Sequence, residues 1–315
     1  MKLVRQNIFT MVVSRILIIV FGATVFLHST HVRAQKNDKP TPSTTQRSDS
    51  TKTRPFEPAE ELVYVAEFSR ALLKKVDVAD FRFTASRQPS LQKASYSGID
   101  QNKREDTYLL KFTGDVASKG FFSKLFNLRF REQIESIVEP HSFSVQTTKK
   151  VDEQGKRARV SETSYRDGKV KWIETDPNDH SRPPRSAEAT FAGQVQDVLS
   201  AIYYLRTQPL EVGKNFEMTV SDSGVVYQVP VRVVEKKIRK SVLGRAEAIR
   251  VDPEVFGENR MLSGEGQFSI WFTNDSRRVP ISARIKTKYG TFDVTLRKLI
   301  QPATRESVAS ANHGN

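Results

Sequence analysis

Apolar and polar positions alternate with a period of two along most of the chain between Leu62 and Leu296, the pattern of strands with one covered face. Runs rich in β-branched and aromatic residues cover 62–68, 76–85, 107–112, 130–138, 142–148, 158–165 and 170–174. A second series covers 216–220, 225–234, 246–251, 268–272, 281–289 and 292–296. Short glycine turns, Asp167-Gly168, Ser223-Gly224 and Tyr289-Gly290, join several of these runs. Strands linked by hairpins, with no helices between them, predict an antiparallel meander rather than a doubly wound parallel sheet. The expected fold is mainly β: an antiparallel meander forming a curved half-barrel or open barrel, with one or two short helices on its concave side. Polar residues at alternate positions, as in Arg157, Arg159 and Ser161, predict that one face of the sheet is wet.

Two segments break the period. Residues 121–126, opening with Phe121 and Phe122, read as a short apolar helix or turn. Residues 194–206 place Val195, Val198, Leu199, Ile202 and Leu205 on one helical stripe, with Asp197 in the first turn, where the helix dipole favours an acid. Pro209 and Gly213 stop this helix, which is expected to plug or line the concave side of the sheet.

Composition changes the picture at both ends. Lys2, Arg5 and Arg15 precede a twelve-residue apolar run, 16–27, and no acid occurs before Asp38. A spanning helix needs roughly 20 apolar residues, so the run reads as a signal peptide cut between Ala34 and Gln35, with an uncleaved N-terminal anchor as the alternative. Loss of Lys2, Arg5, Arg15 and Arg33 would leave +10 of the formal charge of +14. The expected location is exported, in the periplasm or outside the cell. Residues 35–58 are Pro, Ser, Thr and charge with a single aromatic, Phe56, and read as a disordered linker; 302–315 read as a disordered tail. Between them, 59–301 reads as one antiparallel β domain in which 176–189 forms a long surface loop.

The stretch 197–206, with Asp197, Ser200 and Arg206, then Pro209, Leu210 and Gly213, resembles the bacterial family catalogued as domain of unknown function 3108. So do the hairpin 268–280, with Trp271, Asp275, Arg278 and Pro280, and the turn ending at Gly290. Leu72-Leu73-Lys74-Lys75 departs from the family pattern, standing where a glycine-containing first turn is expected. The family brings a fold expectation and no activity. The strand–turn–strand pattern of 271–280 is also similar, at the level of fold, to periplasmic lipoprotein-carrier half-barrels, which hold an acyl chain.

The chain has no cysteine, which excludes disulfides, thiol nucleophiles, iron–sulfur clusters and cysteine-bound zinc. Glu174, Asp176, Asn178, Asp179 and His180 cluster within seven residues, but without EF-hand spacing and followed by Pro183-Pro184, so a solvated loop is the better reading and no metal or other cofactor is expected. G-x-S-x-G and H-E-x-x-H are absent, and no glycine-rich loop opens a helix to hold phosphate. The family-motif residues are expected to be structural: Asp275 a turn former, Trp271 core, Arg278 a partner for an acid or carbonyls. The basic pairs Lys149-Lys150, Lys236-Lys237 and Arg239-Lys240 read as a solvated face protecting strand edges, or as a contact for anionic lipid head groups; nucleic acid is not an expected partner. The function expected is a non-catalytic envelope protein that binds a lipid, or a lipoprotein acyl chain, on the concave face. Tyr203, Tyr204 and Leu205 would line that face, with Phe121 and Phe122 as its lip. The alternative is an adaptor whose self-filled sheet binds another protein through an edge or its basic face.

Overall fold

The computed structural model describes residues 54–90, 108–120 and 129–302. The first half of the chain forms β1 (Ala59–Arg70), β2 (Leu73–Pro89), β3 (Tyr108–Ser118), β4 (Phe130–Val138), β5 (Val145–Gln154), β6 (Arg157–Arg166), β7 (Lys169–Thr175) and β8 (Arg185–Thr190). A two-residue strand, β9 (Gln196–Asp197), leads into the helix α1 (Val198–Thr207). The second half forms β10 (Asn215–Asp222), β11 (Val225–Ser241), β12 (Gly244–Pro253), β13 (Gly266–Thr273), β14 (Pro280–Thr287) and β15 (Gly290–Ile300). All fifteen strands belong to one sheet in the order 8-7-6-5-4-3-2-1-15-14-13-12-11-10-9. Every pairing is antiparallel except the short β9–β10 match.

This order makes β1 the seam. It pairs with β2 on one side and with β15 on the other, so each half of the chain is a meander that starts or ends at β1. The free edges of the sheet are β8 and β9. The sheet curls far enough to bring these ends together without a closing ladder, leaving an open half-barrel. The amide of Val145, at the start of β5, donates to the carbonyl of Val195 just before β9 (3.0 Å). The β10–β11 turn rests on β7 and β8 so closely that a Cβ on Gly224 would lie 2.6 Å from that of Ala187.

Helix α1 lies inside the curl and packs on β3, β4 and β10, so it touches opposite walls. Its Leu199 and Tyr203 join the core of the first half, and Ala201 and Leu205 join that of the second. The ring of Tyr203 stacks on Phe112, with centroids 4.1 Å apart and planes 5° from parallel. Phe56 meets both rings edge-on. The interior is therefore filled by the protein's own side chains.

Four sequence expectations change. Residues 54–58 belong to the folded body rather than to a linker, because Phe56 is fully buried among these aromatics. The 176–189 loop gives up its second half to β8, whose Ala187 and Ala189 pair with Trp172 and Val170 of β7. Asp197 caps α1 instead of sitting in its first turn. One face is wet, as burial alternating along β4 and β7 shows, but Arg159 and Ser161, read as marking it, belong to the covered face and are buried. The apolar segment 121–126 lies outside the described residues, as do residues 1–34, read as a signal peptide, and 303–315 of the expected tail.

Candidate functional site

The family-motif residues hold α1 to the sheet. Asp197 accepts the amide hydrogen of Ser200 (2.7 Å), while the Ser200 hydroxyl accepts that of Asp197 (2.9 Å), a reciprocal cap. The second carboxylate oxygen of Asp197 accepts from Thr148 on β5 (2.5 Å). At the other end of the helix, Arg206 donates to both carboxylate oxygens of Glu60 on β1 (2.5 and 2.9 Å). Both side chains are fully buried, and the guanidinium also lies over the rings of Phe56 and Tyr203. A charge pair out of water survives only with such geometry.

The β13–β14 turn is built in the same way. Asp275 accepts from the Thr273 hydroxyl (2.7 Å) and from the amides of Arg277 and Arg278 (3.1 and 3.0 Å). Arg278 donates to the carbonyl of Gln208 just after α1, and the carbonyl of Pro280 accepts from Tyr64 (2.7 Å). Gly213 bonds back to Val233. Gly290 has φ +147°, and a Cβ there would stand 2.5 Å from the ring of Phe68. Trp271 is buried on the outer face of the sheet, beneath the guanidinium of Arg239 at 4.4 Å.

The side chains expected to line an apolar groove are dispersed. Tyr203 is 1% exposed and wedged in the aromatic core, with no hydrogen-bond partner for its hydroxyl. Burial and the nearby Glu60 carboxylate push that hydroxyl's pKa well above the usual range. Tyr204 is half-buried against Phe143. Leu205 alone of the three lines a cavity. Phe121, Phe122, Ala34 and Gln35 fall outside the described residues. Of the acidic cluster, Glu174 and Asp176 are taken up by Arg159, with Arg182 and Arg185 beside them. Among the described residues, no group of three or more His, Cys, Asp or Glu is placed to hold a metal.

The cavity at Leu205 has a volume of about 60 Å³ and is wholly apolar in its lining side chains. It lies between α1 (Ala201, Ile202, Leu205) and Met218 and Val229 of β10 and β11, and the loop 254–265 closes it with Val255, Phe256 and Met261. That loop is bonded to itself through Gly257 N to Leu262 O and Leu262 N to Val255 O, both 2.9 Å. Its hydrogen bonds to the barrel are few: Glu254 N to Pro230 O (2.8 Å) and Arg260 to Gln228 O (2.9 Å).

A much larger groove, about 760 Å³, runs over the outer face of β11–β15. Most of its charges are paired: Arg250 with Glu235 (2.6 Å) and Asp252 (3.3 Å), Arg232 with Glu254 (3.1 Å), Arg284 with Asp293 (2.6 Å). Lys75, Arg239 and Lys286 also line it, and among the described residues none of the three has a carboxylate within 4.0 Å. Pro253, Val255, Phe256 and Phe268 line both the groove and the apolar cavity, so one thin wall separates a charged space from an apolar one.

Sequence reasoning missed a buried polar wall inside the first half. Glu132 is 2% exposed and neither carboxylate oxygen has a hydrogen-bond partner. Burial, with smaller contributions from Asp152 and Asp222, lifts its pKa from 4.5 to about 8 despite the opposing Lys150. Burial works against the charge on Lys150, but Glu132, Asp222 and Asp152 outweigh it and raise that pKa. The signal was present: Glu132 shares its strand parity with Phe130, Ile134 and Val138, all buried.

Fold and site together define an open antiparallel half-barrel with a helix packed inside it and, among the described residues, a ligand-sized groove on its outer face. The chain belongs to the family described as protein of unknown function (DUF3108), whose model matches residues 94–297. A solved structure, the β-barrel-like protein of domain of unknown function DUF1849 from Brucella abortus, is similar at 11% identity and a TM-score of 0.49. The match covers 80% of this chain and 100% of that one. No curated protein matches the chain.

Proposed function

We propose that this is an exported, non-catalytic cell-envelope protein that binds an amphiphile across the wall between the two cavities. The head group occupies the outer groove beside Lys75, Arg239 and Lys286, and the tail enters the apolar cavity beneath the loop 254–265. The observation that carries this reading is the shared wall of Pro253, Val255, Phe256 and Phe268. The groove falls within the roughly 300–1,000 Å³ of ordinary ligand sites, whereas the apolar cavity is far below it. Binding therefore requires the loop to lift. The signal-like N-terminus supports export.

The test titrates the full chain with palmitoyl-lysophosphatidylglycerol below its micellar concentration, reading tryptophan fluorescence. Trp271 lies in the groove and is one of only two tryptophans. Saturable binding is expected, weakened about tenfold by Met261→Glu, which puts a charge into the apolar wall. No binding, or binding indifferent to Met261→Glu, overturns the proposal.

A second reading has its own support. The filled interior and the open β8 edge, paired only with β7, suit an adaptor that adds a partner's strand. Binding lost on substituting prolines into β8, and untouched by Met261→Glu, would select it.

A further inference from the structure

The ribbon formed by the far ends of β11 and β12 has one face that stands outside the proposed amphiphile site. Beyond Glu247, whose carbonyl accepts from the Asn274 amide (2.9 Å), β12 has no partner on its β13 side among the described residues. Beyond Val233, which is bonded to Gly213 and Lys214 (2.9 and 3.0 Å), β11 has none on its β10 side among the described residues. The two strands then pair only with each other, from Arg239 opposite Ala246 to the tip at Ser241 and Gly244. The two faces of this ribbon differ. One carries Lys237 and Arg239, which turn toward the outer groove and Trp271.

The other face carries Lys236, Ile238 and Lys240, with Glu247 opposite Ile238 and Arg245 opposite Lys240. Ile238 is 63% exposed and Val242, at the tip, is 53% exposed. Among the described residues, Lys236, Lys240 and Arg245 have no carboxylate within 4.0 Å, and Glu247 is held by Asn274. A protruding strip of three unpaired cations around two exposed aliphatic side chains is thus left without a partner in the fold. Register also places it. Phe272 pairs with Pro280, whose carbonyl meets Tyr64, so the ribbon runs past that level to the end of the sheet where β1 begins.

We propose that this ribbon docks the protein on an anionic phospholipid surface, with Ile238 and Val242 entering the head-group layer and Lys236, Lys240 and Arg245 over the phosphates. Charge complementarity selects the partner: cations flanking short apolar side chains match the interface of an acidic bilayer, where each Lys or Arg strengthens binding about fivefold. The docking does not rest on the amphiphile site, because no residue of the strip lines either cavity.

The experiment is cosedimentation of the full chain with vesicles of phosphatidylcholine containing about 30% phosphatidylglycerol, at low and high salt. Binding is expected with the acidic vesicles, weak with pure phosphatidylcholine, and lost at high salt. Lys236→Gln, Lys240→Gln and Arg245→Gln together should weaken it about 100-fold. These side chains are exposed, and an unchanged melting curve will show that the fold is intact. Ile238→Ser with Val242→Ser, which keeps every charge, should weaken binding several-fold, whereas Met261→Glu should leave it as it was. Absence of binding to acidic vesicles overturns the proposal, as does a triple variant that binds normally. Equal affinity for soluble polyglutamate also overturns it, assigning the strip to an acidic protein.

Discussion

Replacing Glu132 by Gln is expected to stabilise the protein, by an amount that grows with pH. Glu132 is buried with both oxygens unpartnered, and its pKa stands at about 8 in the fold against 4.5 in the open chain. Between those values the folded protein keeps a proton that the unfolded chain has released. Its unfolding free energy therefore falls as pH rises through the window. The contribution is fully present below pH 4.5 and gone above pH 8; the whole displacement corresponds to at most ~5 kcal/mol. Gln has the same shape, cannot ionise and leaves Lys150, Asp152 and Asp222 in place. Urea unfolding followed by circular dichroism at pH 4.5, 6, 7 and 8 checks this. Wild type and Glu132→Gln should nearly coincide at the acidic end, and the variant should lead by roughly 2–4 kcal/mol at the alkaline end. A difference that does not change with pH would refute the reasoning. So would a wild type that gains on the variant as pH rises, since Glu132 would then be an ionised partner of Lys150.

Further substitutions test the frame. Arg206→Met should cost about 3–5 kcal/mol by leaving the Glu60 carboxylate buried alone, and adding Glu60→Leu should recover most of the loss in chemical denaturation. Tyr203→Phe should be neutral or stabilising by up to about 1 kcal/mol, because its hydroxyl has no partner; Tyr203→Ala should cost about 3–5 kcal/mol by emptying the stack on Phe112. Gly290→Ala should lower stability by about 1–3 kcal/mol, measured as an earlier urea midpoint, because its Cβ would collide with Phe68 at a φ that L residues avoid.

Much of the sheet was legible because its strands advertise themselves: 62–68 and 225–234 alternate with β-branched and aromatic residues, and glycine turns at 168, 224 and 290 mark the hairpins. The helix was legible from the stripe Val198, Leu199, Ile202 and Leu205. What failed were inferences that local pattern does not carry. β8, with the sequence RSAEAT after two prolines, has no strand-forming composition; pairing with β7 makes it a strand. Phe56 is one aromatic in a polar run, and only the edge of the Phe112–Tyr203 stack gives it a burial site. Tyr203 was read as a groove residue because its ring and hydroxyl suit one, but a helix inside a curled sheet is covered from both walls. The same covering turns Arg159 and Ser161 from surface into interior. The shared wall of the two cavities depends on Val255 and Phe256 meeting Phe268 across a turn, which no spacing in the sequence records.

The central claim is that the protein carries an amphiphile across that wall. Native mass spectrometry of the full chain recovered from a periplasmic extract, with solvent extraction of whatever accompanies it, tests the claim most directly. A defined lipid adduct, diminished in Met261→Glu and in the pair Arg239→Glu and Lys286→Glu, is the expected result. A bare polypeptide mass that stays bare after incubation with single-chain anionic lipids would contradict it.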